Sequence, residues 1–225
     1  MYMSDVKARN PVRVLDDLRG LLKGTTTVGV KFKDGVIIAS DRRATSGTFV
    51  ASKSAVKTVK LTDYAVATIS GLVADGQYLV NNVTAISELY RLDMERSMSI
   101  RGMAKLLSVM LRNYRPLFLM AHLIVGGIDG EGPHLFNVDF YGTLTEEDYL
   151  ATGSGSPIAI SVIEEGYSPD MSRDEALRLV LSAMIAALQR DSATGDGTDV
   201  VTITRDEGVV FIPKEEIKEL WKELV

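Results

Sequence analysis

The sequence predicts an α+β fold in which antiparallel sheets carry helices on their outer faces. The 225 residues are 46% hydrophobic and 24% charged, which is typical of one globular domain with a sizeable core. Blocks of strand-like sequence are separated by pairs of helix-like segments, a pattern that disfavours an alternating parallel α/β fold. The dipeptide Asp34-Gly35 between the first two strand-like runs indicates a hairpin, and therefore antiparallel pairing.

The elements of the first half follow from local patterns. Residues 1–24 hold five basic and three acidic residues, with a weak amphipathic helix pattern after Pro11, and they read as an appendage. Alternating β-branched residues then predict strands at 25–33, 36–43, 58–61 and 64–70. Apolar residues at helical spacing predict two helices, at 74–95 and 100–114.

The second half repeats this order. Strands are expected at 119–129, 134–139 and 143–152. The run Gly153-Ser154-Gly155-Ser156-Pro157 opens the next helix, and Ser172 with Glu175 forms a capping box for a helix that ends near Arg190. Strands at 199–206 and 209–212 and a final helix from Lys214 complete the chain.

The near absence of Cys and His excludes several kinds of catalytic and metal site. The chain contains no Cys and only two His, His122 and His134. A cysteine nucleophile, a disulfide and a thiolate metal site are therefore impossible, and a Ser-His-Asp triad or a His-based zinc site would need those two residues. No metal or other cofactor is expected, and an enzymatic base other than imidazole is favoured.

Charge and hydropathy restrict the partners. The formal net charge of −5 argues against non-specific binding of nucleic acid and against a polybasic membrane anchor. No run approaches the roughly 18 apolar residues of a spanning helix, and the N-terminus lacks the apolar core of a secretory signal. The sequence therefore predicts a cytoplasmic protein that binds neither membranes nor nucleic acid.

Two features admit both a functional and a structural interpretation. The glycine-rich run at 153–157 could present N–H groups to an anion, but it lacks the Lys-Ser/Thr of a phosphate-binding loop. A tight strand-to-helix turn is favoured there. His122 alternates within an apolar strand and His134 follows a loop, so a structural role is favoured for both.

The strongest candidate for a reactive site lies between Gly24 and Gly71. Three threonines open the first strand, Asp41 and Arg43 end the return strand, and Lys57 begins the next one. By spacing alone, the threonines could be strand formers and the charges solvated. Chemistry offers another interpretation, because a hydroxyl needs a base to act as a nucleophile. The α-amine of a threonine, once freed by peptide cleavage, has a pKa of about 7.7–8.0 and suits that task.

This interpretation assigns the neighbouring charges. An ordinary lysine is mostly protonated, so Lys57 would serve as a fixed positive charge, and Asp41 would hold its ammonium group. It also requires a removable N-terminal segment that ends directly before the nucleophile. Residues 1–24, which end at Gly24, meet this requirement.

From Thr25 to its end, the chain resembles the β subunits of 20S proteasomes, most closely the archaeal type. The resemblance rests on GTTTVGV (24–30), ASDRRAT (39–45), Lys57, ISGLVADGQ (69–77), GSGSP (153–157) and RDSATGDGTDV (190–200). The motifs occur in the family's order and span essentially all of residues 25–225.

The resemblance implies a fold and a processing step. The fold would be that of the N-terminal-nucleophile hydrolases, a four-layer αββα sandwich of two antiparallel sheets between helix layers. Residues 1–24 would be a propeptide that is removed by self-cleavage between Gly24 and Thr25, and residues 25–225 would form the hydrolase domain.

The resemblance also implies an activity, that of a threonine endopeptidase degrading unfolded polypeptides. Thr25 would be the nucleophile with its own amine as base, Lys57 would lower the pKa of the hydroxyl, and Asp41 would orient Lys57. The backbone N–H of Gly71 matches the oxyanion donor. An outer polar group near the amine would consist of Ser154, Asp191 and Thr194, the last at a position where the family usually has serine.

Substrate contacts are implied in the same way. Thr45 and Gly71 match the segments that accompany an extended substrate, and the pocket for the residue before the cut would be apolar. Its lining residues would be Ala44, Ala55, Val59, Ile69 and Val73. Cleavage after hydrophobic residues is therefore expected.

The implied partners are proteasome α subunits and further β subunits in stacked seven-membered rings of α-β-β-α order, and an ATPase unfoldase. Two other interpretations stay open. The chain could be a catalytically silent ring subunit of the same fold, although Thr25, Asp41, Lys57 and Gly71 are all retained. It could also be the shorter, related bacterial two-component protease, although the 24-residue leader and the long C-terminal portion disfavour this.

Overall fold

The computed structural model describes residues 24–114 and 119–225, so the segment with the weak helix pattern after Pro11 lies outside the described residues. The strands are β1 (Thr26–Phe32), β2 (Gly35–Asp41), β3 (Ala44–Ser46), β4 (Phe49–Ser52), β5 (Thr58–Thr62), β6 (Ala65–Gly71), β7 (Ala121–Asp129), β8 (Gly132–Val138), β9 (Leu144–Glu146), β10 (Tyr149–Gly153), β11 (Thr198–Thr204) and β12 (Gly208–Phe211). The helices are α1 (Val73–Met94), α2 (Ile100–Asn113), α3 (Ser156–Gly166), α4 (Arg173–Arg190) and α5 (Lys214–Leu224). Within this part of the chain, no helix combines the length and the apolar character that crossing a bilayer demands.

Antiparallel pairing builds two five-stranded sheets. The first sheet has the order β10-β1-β2-β11-β12, and the second has the order β5-β6-β7-β8-β9. All neighbouring strands within them are antiparallel. The predicted Asp34-Gly35 turn joins β1 to β2 and sets Phe32 opposite Gly35.

The two sheets stack face to face between layers of helices. Because side chains alternate along a strand, each sheet has one face towards helices and one face towards the other sheet. In β2, Ile37 and Ala39 pack beneath α3, α4 and α5, whereas Val36 and Ile38 pack between the sheets. In β6, Ala67 and its neighbours on the same face pack beneath α1 and α2. This arrangement confirms the four-layer αββα sandwich.

Helix starts follow the expected capping rules. Ser172 caps α4, and its own backbone N–H donates to Glu175 Oε2 at 2.8 Å, which completes the predicted capping box. Pro157 lies in the first turn of α3, where its missing N–H costs no hydrogen bond. The glycine-rich run therefore forms the strand-to-helix turn that the sequence favoured.

One expectation about the strands was wrong, and one hairpin was missed. The predicted strand at 143–152 is two strands in different sheets, because β9 pairs with β8 whereas β10 pairs with β1. The chain passes from the second sheet to the first at Glu147 and Asp148. The sequence pattern does not predict the short β3–β4 hairpin, in which three of the seven strand residues are exposed and which turns at Gly47, where φ is +58°.

Candidate active site

The candidate residues meet at one end of both sheets. In the first sheet, Thr26 at the start of β1 lies opposite Gly153 at the end of β10, and Asp41 at the end of β2 lies opposite Thr198. In the second sheet, β5 begins directly after Lys57 and β6 ends at Gly71. Antiparallel order thus brings together strand ends that are far apart in sequence.

The Gly24–Thr25 peptide bond lies inside this site. Thr25 is 2% exposed, and its Oγ1 donates a hydrogen bond to the carbonyl oxygen of Gly24 at 2.8 Å. The backbone N–H of Gly24 donates to Thr45 Oγ1 at 3.2 Å. A Cβ on Gly24 would lie 1.7 Å from Ala193 Cβ, so the backbone passes where no side chain fits. The Thr25 hydroxyl is therefore held beside the carbonyl group that precedes it.

Asp41 is the main acceptor of the site. Its Oδ1 accepts from Lys57 Nζ at 2.6 Å and from the Thr26 N–H at 3.0 Å. Its Oδ2 accepts from the N–H groups of Arg43 at 3.0 Å and Gly195 at 3.1 Å. One carboxylate thereby fixes Lys57, the strand that carries the threonine, and the loop after α4.

Burial acts on both members of the ion pair. The side chains of Asp41 and Lys57 are 0% and 1% exposed. Burial raises the pKa of the Asp41 carboxyl and lowers the pKa of the Lys57 ammonium, while their mutual attraction opposes both shifts. Because all four hydrogen bonds to Asp41 favour its charged form, we assign an ion pair at neutral pH.

A second polar network lies on the other side of Thr25. The Thr25 N–H donates to Ser154 Oγ at 3.2 Å, and Ser154 Oγ donates to Asp191 Oδ2 at 2.5 Å. Thr194 Oγ1 donates to the same carboxylate oxygen at 2.5 Å, and Thr26 Oγ1 lies 2.7 Å from Thr194 Oγ1. The hydroxyl of Thr194, which is 2% exposed, thus links Asp191 to Thr26.

The glycines of the 153–157 turn allow this close approach. At Gly153, φ is +90° and a Cβ would lie 2.0 Å from the Thr25 carbonyl oxygen. At Gly155, a Cβ would lie 2.0 Å from Thr26 Oγ1. Glycine is therefore required for packing against the first two residues of the strand.

Arg43 holds the loop that carries Asp191 and Thr194. Its Nε donates to Asp196 Oδ2 at 2.7 Å, and its Nη1 donates to the Ser192 carbonyl at 2.9 Å. Asp196 has a φ of +64°, which a non-glycine residue adopts only when its surroundings enforce it. This clamp connects the Asp41 and Asp191 networks.

The structure also describes the expected oxyanion donor Gly71 and the expected pocket residues. Gly71 has a φ of +93°, and a Cβ there would lie 2.4 Å from the Met120 carbonyl oxygen, so glycine is needed at this strand end. Ala44 is buried in β3, whereas Ala55 and Val73 are half-buried. Ile69 is fully buried in the core beneath α1, and half-buried Val59 packs against the same core. Neither Ile69 nor Val59 makes a polar contact with Thr25.

Sequence reasoning missed three contributions to the site. The sequence pattern indicates a strand former at Thr26 and assigns no role to Arg43. Hydroxyl pairs between the sheets were also missed: Ser40 Oγ lies 2.8 Å from Thr58 Oγ1, next to Lys57. The threonine repeat and the ASDRRAT motif were the available signals, but their partners are up to 168 residues away.

Both histidines contact polar side chains of the second sheet. His122 Nε2 lies 2.6 Å from Asn137 Oδ1, and burial lowers the pKa of His122. His134 lies between Glu146 at 2.6 Å and Asp129 at 3.2 Å. Among the described residues, no group of His, Asp and Glu side chains has the arrangement of a metal site.

Comparison with known proteins agrees with this architecture. The family described as "Proteasome subunit" matches residues 21–203. "Proteasome subunit beta 1" of Korarchaeum cryptofilum is 73% identical over 205 residues, which cover 91% of this chain and 99% of that protein. "Proteasome subunit beta 1" of Caldivirga maquilingensis is 44% identical over 87% of this chain and 96% of that protein, and "Proteasome subunit beta" of Methanopyrus kandleri is 43% identical over 92% and 99%. The chain therefore belongs to the proteasome subunit family, as a β-type subunit with archaeal relatives.

Proposed function

We propose that this chain is a catalytic β subunit of the 20S proteasome core, a threonine endopeptidase whose nucleophile is Thr25. Membership of the family already makes it a subunit of a peptidase complex, which assembles with other proteasome subunits. The observation that carries the finer assignment is the 2.8 Å hydrogen bond from Thr25 Oγ1 to the Gly24 carbonyl, beside the buried Asp41–Lys57 pair.

The first reaction would be self-cleavage, which defines residues 1–24 as a propeptide. Thr25 Oγ attacks the Gly24 carbonyl carbon, and the hydroxyl proton is transferred to the Thr25 nitrogen, which is the leaving group. The Gly24–Thr25 C–N bond then breaks, which leaves an ester between Gly24 and the Thr25 oxygen and a free Thr25 amine. Water hydrolyses the ester and releases residues 1–24.

The same groups would then cleave peptides. The freed Thr25 amine is the proton acceptor, because an ordinary α-amine titrates near working pH and both imidazoles are hydrogen-bonded within the second sheet. The positive charge of Lys57, oriented by Asp41, stabilises the developing alkoxide. The N–H of Gly71 is the proposed oxyanion donor, and one such donor is worth about 3 kcal/mol. An acyl-enzyme forms on Thr25 and is hydrolysed.

The outer network has a defined task in this scheme. Ser154 faces the Thr25 nitrogen, and Asp191 accepts from both Ser154 and Thr194. After cleavage, this network would hold the Thr25 amine and orient its lone pair towards Oγ. Threonine at position 194 can serve in place of the usual serine, because only its hydroxyl is needed for the hydrogen bond to Asp191.

Substrate recognition would combine β-strand addition with an apolar pocket. Thr45 Oγ1 already holds the N–H of Gly24, as it would hold the backbone of an extended substrate. The proposed pocket residues are uncharged, which favours cleavage after hydrophobic side chains. Fluorogenic peptides with acidic, basic and large apolar residues before the cut test this preference, and comparable rates on all three would contradict it.

We place the subunit in a cytoplasmic particle of stacked seven-membered rings in α-β-β-α order, supplied with unfolded polypeptides by an ATPase. Confinement in a chamber would protect other proteins from an open protease site. A catalytically silent β subunit is the second candidate, since sequence identity to β subunits does not distinguish the two.

Mass spectrometry of the assembled particle separates these candidates. We expect an N-terminus at Thr25 in the unmodified protein. Thr25→Ala should retain residues 1–24 and lack peptide hydrolysis, whereas Thr25→Ser should keep both reactions at lower rates. A retained leader in the unmodified assembled particle would refute the catalytic assignment and favour the silent subunit.

A further inference from the structure

A cavity of about 640 Å³ lies beside the C-terminal helix α5, and neither Thr25 nor Lys57 lines it. We call it the C-terminal groove. Its apolar wall consists of Leu188 from α4 and of Ile217 and Trp221 from α5. Trp221 is only half-buried, so a large aromatic surface faces the groove without a covering element.

The rim of the C-terminal groove is positively charged. Arg42, Lys214, Lys218 and Lys222 line it, on a chain whose formal net charge is −5. Within the described residues, Lys214 and Lys218 are exposed and make no hydrogen bond or ion pair. The acidic Asp196 at the same rim is already paired with a different arginine at 2.7 Å.

Two buried polar atoms of the residues that line the groove have unused hydrogen-bonding capacity. Arg42 Nε and Thr198 Oγ1 are both buried without a hydrogen-bond partner among the described residues. Thr198 is 6% exposed, and both residues line the groove. Native interiors leave few such groups unsatisfied, so this face lacks a polar neighbour.

The shape of the charged rim favours a peptide segment over a compact anion. The lysines recur every fourth residue of α5 and therefore form a row of about 12 Å along one helix face. An extended segment of about four residues spans that length. An apolar centre rich in Trp and Arg with a charged rim is also the usual anatomy of a protein–protein contact.

We propose that the C-terminal groove binds an acidic, apolar segment of a neighbouring proteasome subunit. An apolar side chain of that segment packs on Trp221, and its carboxylates face Lys214 and Lys218. This proposal rests on assembly with other subunits and is independent of the chemistry of Thr25. A particle that assembles through the groove but does not cleave peptides would therefore refute only the proposed activity.

Trp221 provides a direct readout, because it is the only tryptophan of the chain. Acrylamide quenching is measured for the free subunit and for the particle assembled with its α subunit. The same measurement on Trp221→Phe supplies the background to subtract. We expect Trp221 to be markedly less accessible to acrylamide in the particle than in the free subunit.

Charge reversal tests the chemistry of the partner. Lys214→Glu/Lys218→Glu should weaken assembly by about tenfold or more, because like charges in a contact cost several kcal/mol. The control Lys33→Glu/Lys105→Glu makes the same charge change at exposed positions outside the groove and should assemble normally. Thermal unfolding of the free variants checks that each is folded.

Both results are required. Equal quenching of Trp221 in the free and assembled states would overturn the proposal. So would assembly of the Lys214/Lys218 variant at the level of the control, even with Trp221 protected, since the partner segment would then not be acidic.

Discussion

Removing one charge at a time from the Asp41–Lys57 pair tests the electrostatic design of the site. Asp41→Asn preserves shape but replaces one carboxylate oxygen with an NH2 donor. Each oxygen of Asp41 faces two donors, so the new NH2 group meets two N–H groups in either orientation. The buried ammonium of Lys57 also loses its counter-charge at 2.6 Å.

The expected loss is large. Breaking a buried pair by removing one partner costs about 3–5 kcal/mol of unfolding free energy. In guanidinium chloride this lowers the unfolding midpoint by about 1 M. Lys57→Met should cost a similar amount, because Asp41 then keeps a buried charge. The double variant Asp41→Asn/Lys57→Met leaves no buried charge, so its loss should be smaller than the sum by about 1–3 kcal/mol.

The four proteins of this cycle should be compared in a Thr25→Ala background, so that all retain the same leader. Denaturant unfolding of the free subunits, followed by circular dichroism, gives the free energies. Losses that add within about 0.5 kcal/mol would refute the coupling between the two charges. An Asp41→Asn midpoint equal to that of the parent would refute the role of Asp41 as central acceptor.

Three further predictions follow from the contacts described. Gly24→Ala should slow self-cleavage, because the new Cβ would lie 1.7 Å from Ala193 Cβ. Adding Ala193→Gly to this variant should restore part of the rate. Intact-mass measurements over time follow the cleavage, and equal rates for the parent and Gly24→Ala would contradict this packing argument. Thr26→Val should lower kcat and alter the pH profile of peptide hydrolysis, because it removes the hydroxyl that lies 2.7 Å from Thr194 Oγ1. Thr26→Ser keeps the hydroxyl and should preserve both. An unchanged profile in the valine variant would show that the hydroxyl is dispensable. His122→Gln should make the protein less sensitive to acid. Burial lowers the pKa of His122 in the folded state below the unfolded-state value of about 6.5. The contribution of neutral His122 to stability is therefore complete above that value and is lost as the pH falls towards the lower folded pKa. Urea unfolding at neutral and mildly acidic pH measures this, and equal acid sensitivity of the two proteins would exclude His122 as the cause.

The sequence predicted the layered fold because its signals are local. The alternation of apolar residues, the Asp34-Gly35 turn and the Ser172–Glu175 capping box each depend on residues that are close together in the sequence. The break between β9 and β10 could not be predicted in this way, since alternation does not reveal which sheet a strand joins. The β3–β4 hairpin is too short for a recognisable alternation, since its strands have only three and four residues.

Candidate residues can be named from the sequence where chemistry restricts the residue type. A hydroxyl, a carboxylate and a lysine near a segment that was expected to be removed pointed to Thr25, Asp41 and Lys57, and in the structure Asp41 contacts both Lys57 and the backbone of Thr26. The positions of Thr26 and Arg43 in the site depend on a loop more than 140 residues later, and only the folded chain brings these parts together.

The Thr25–Ser154–Asp191 contact has a consequence for the order of events. In the uncut chain, the Thr25 nitrogen is a neutral amide whose single N–H needs one acceptor, and Ser154 provides it. Ser154 in turn donates to the carboxylate of Asp191. Cutting the Gly24–Thr25 bond would turn that nitrogen into an amine that can carry a proton at a nearly fully buried position. The compensating negative charge is therefore in place before the positive charge exists. Processing would need no rearrangement of this shell, and strand β1 would stay anchored from Thr26 onward while its new end becomes charged.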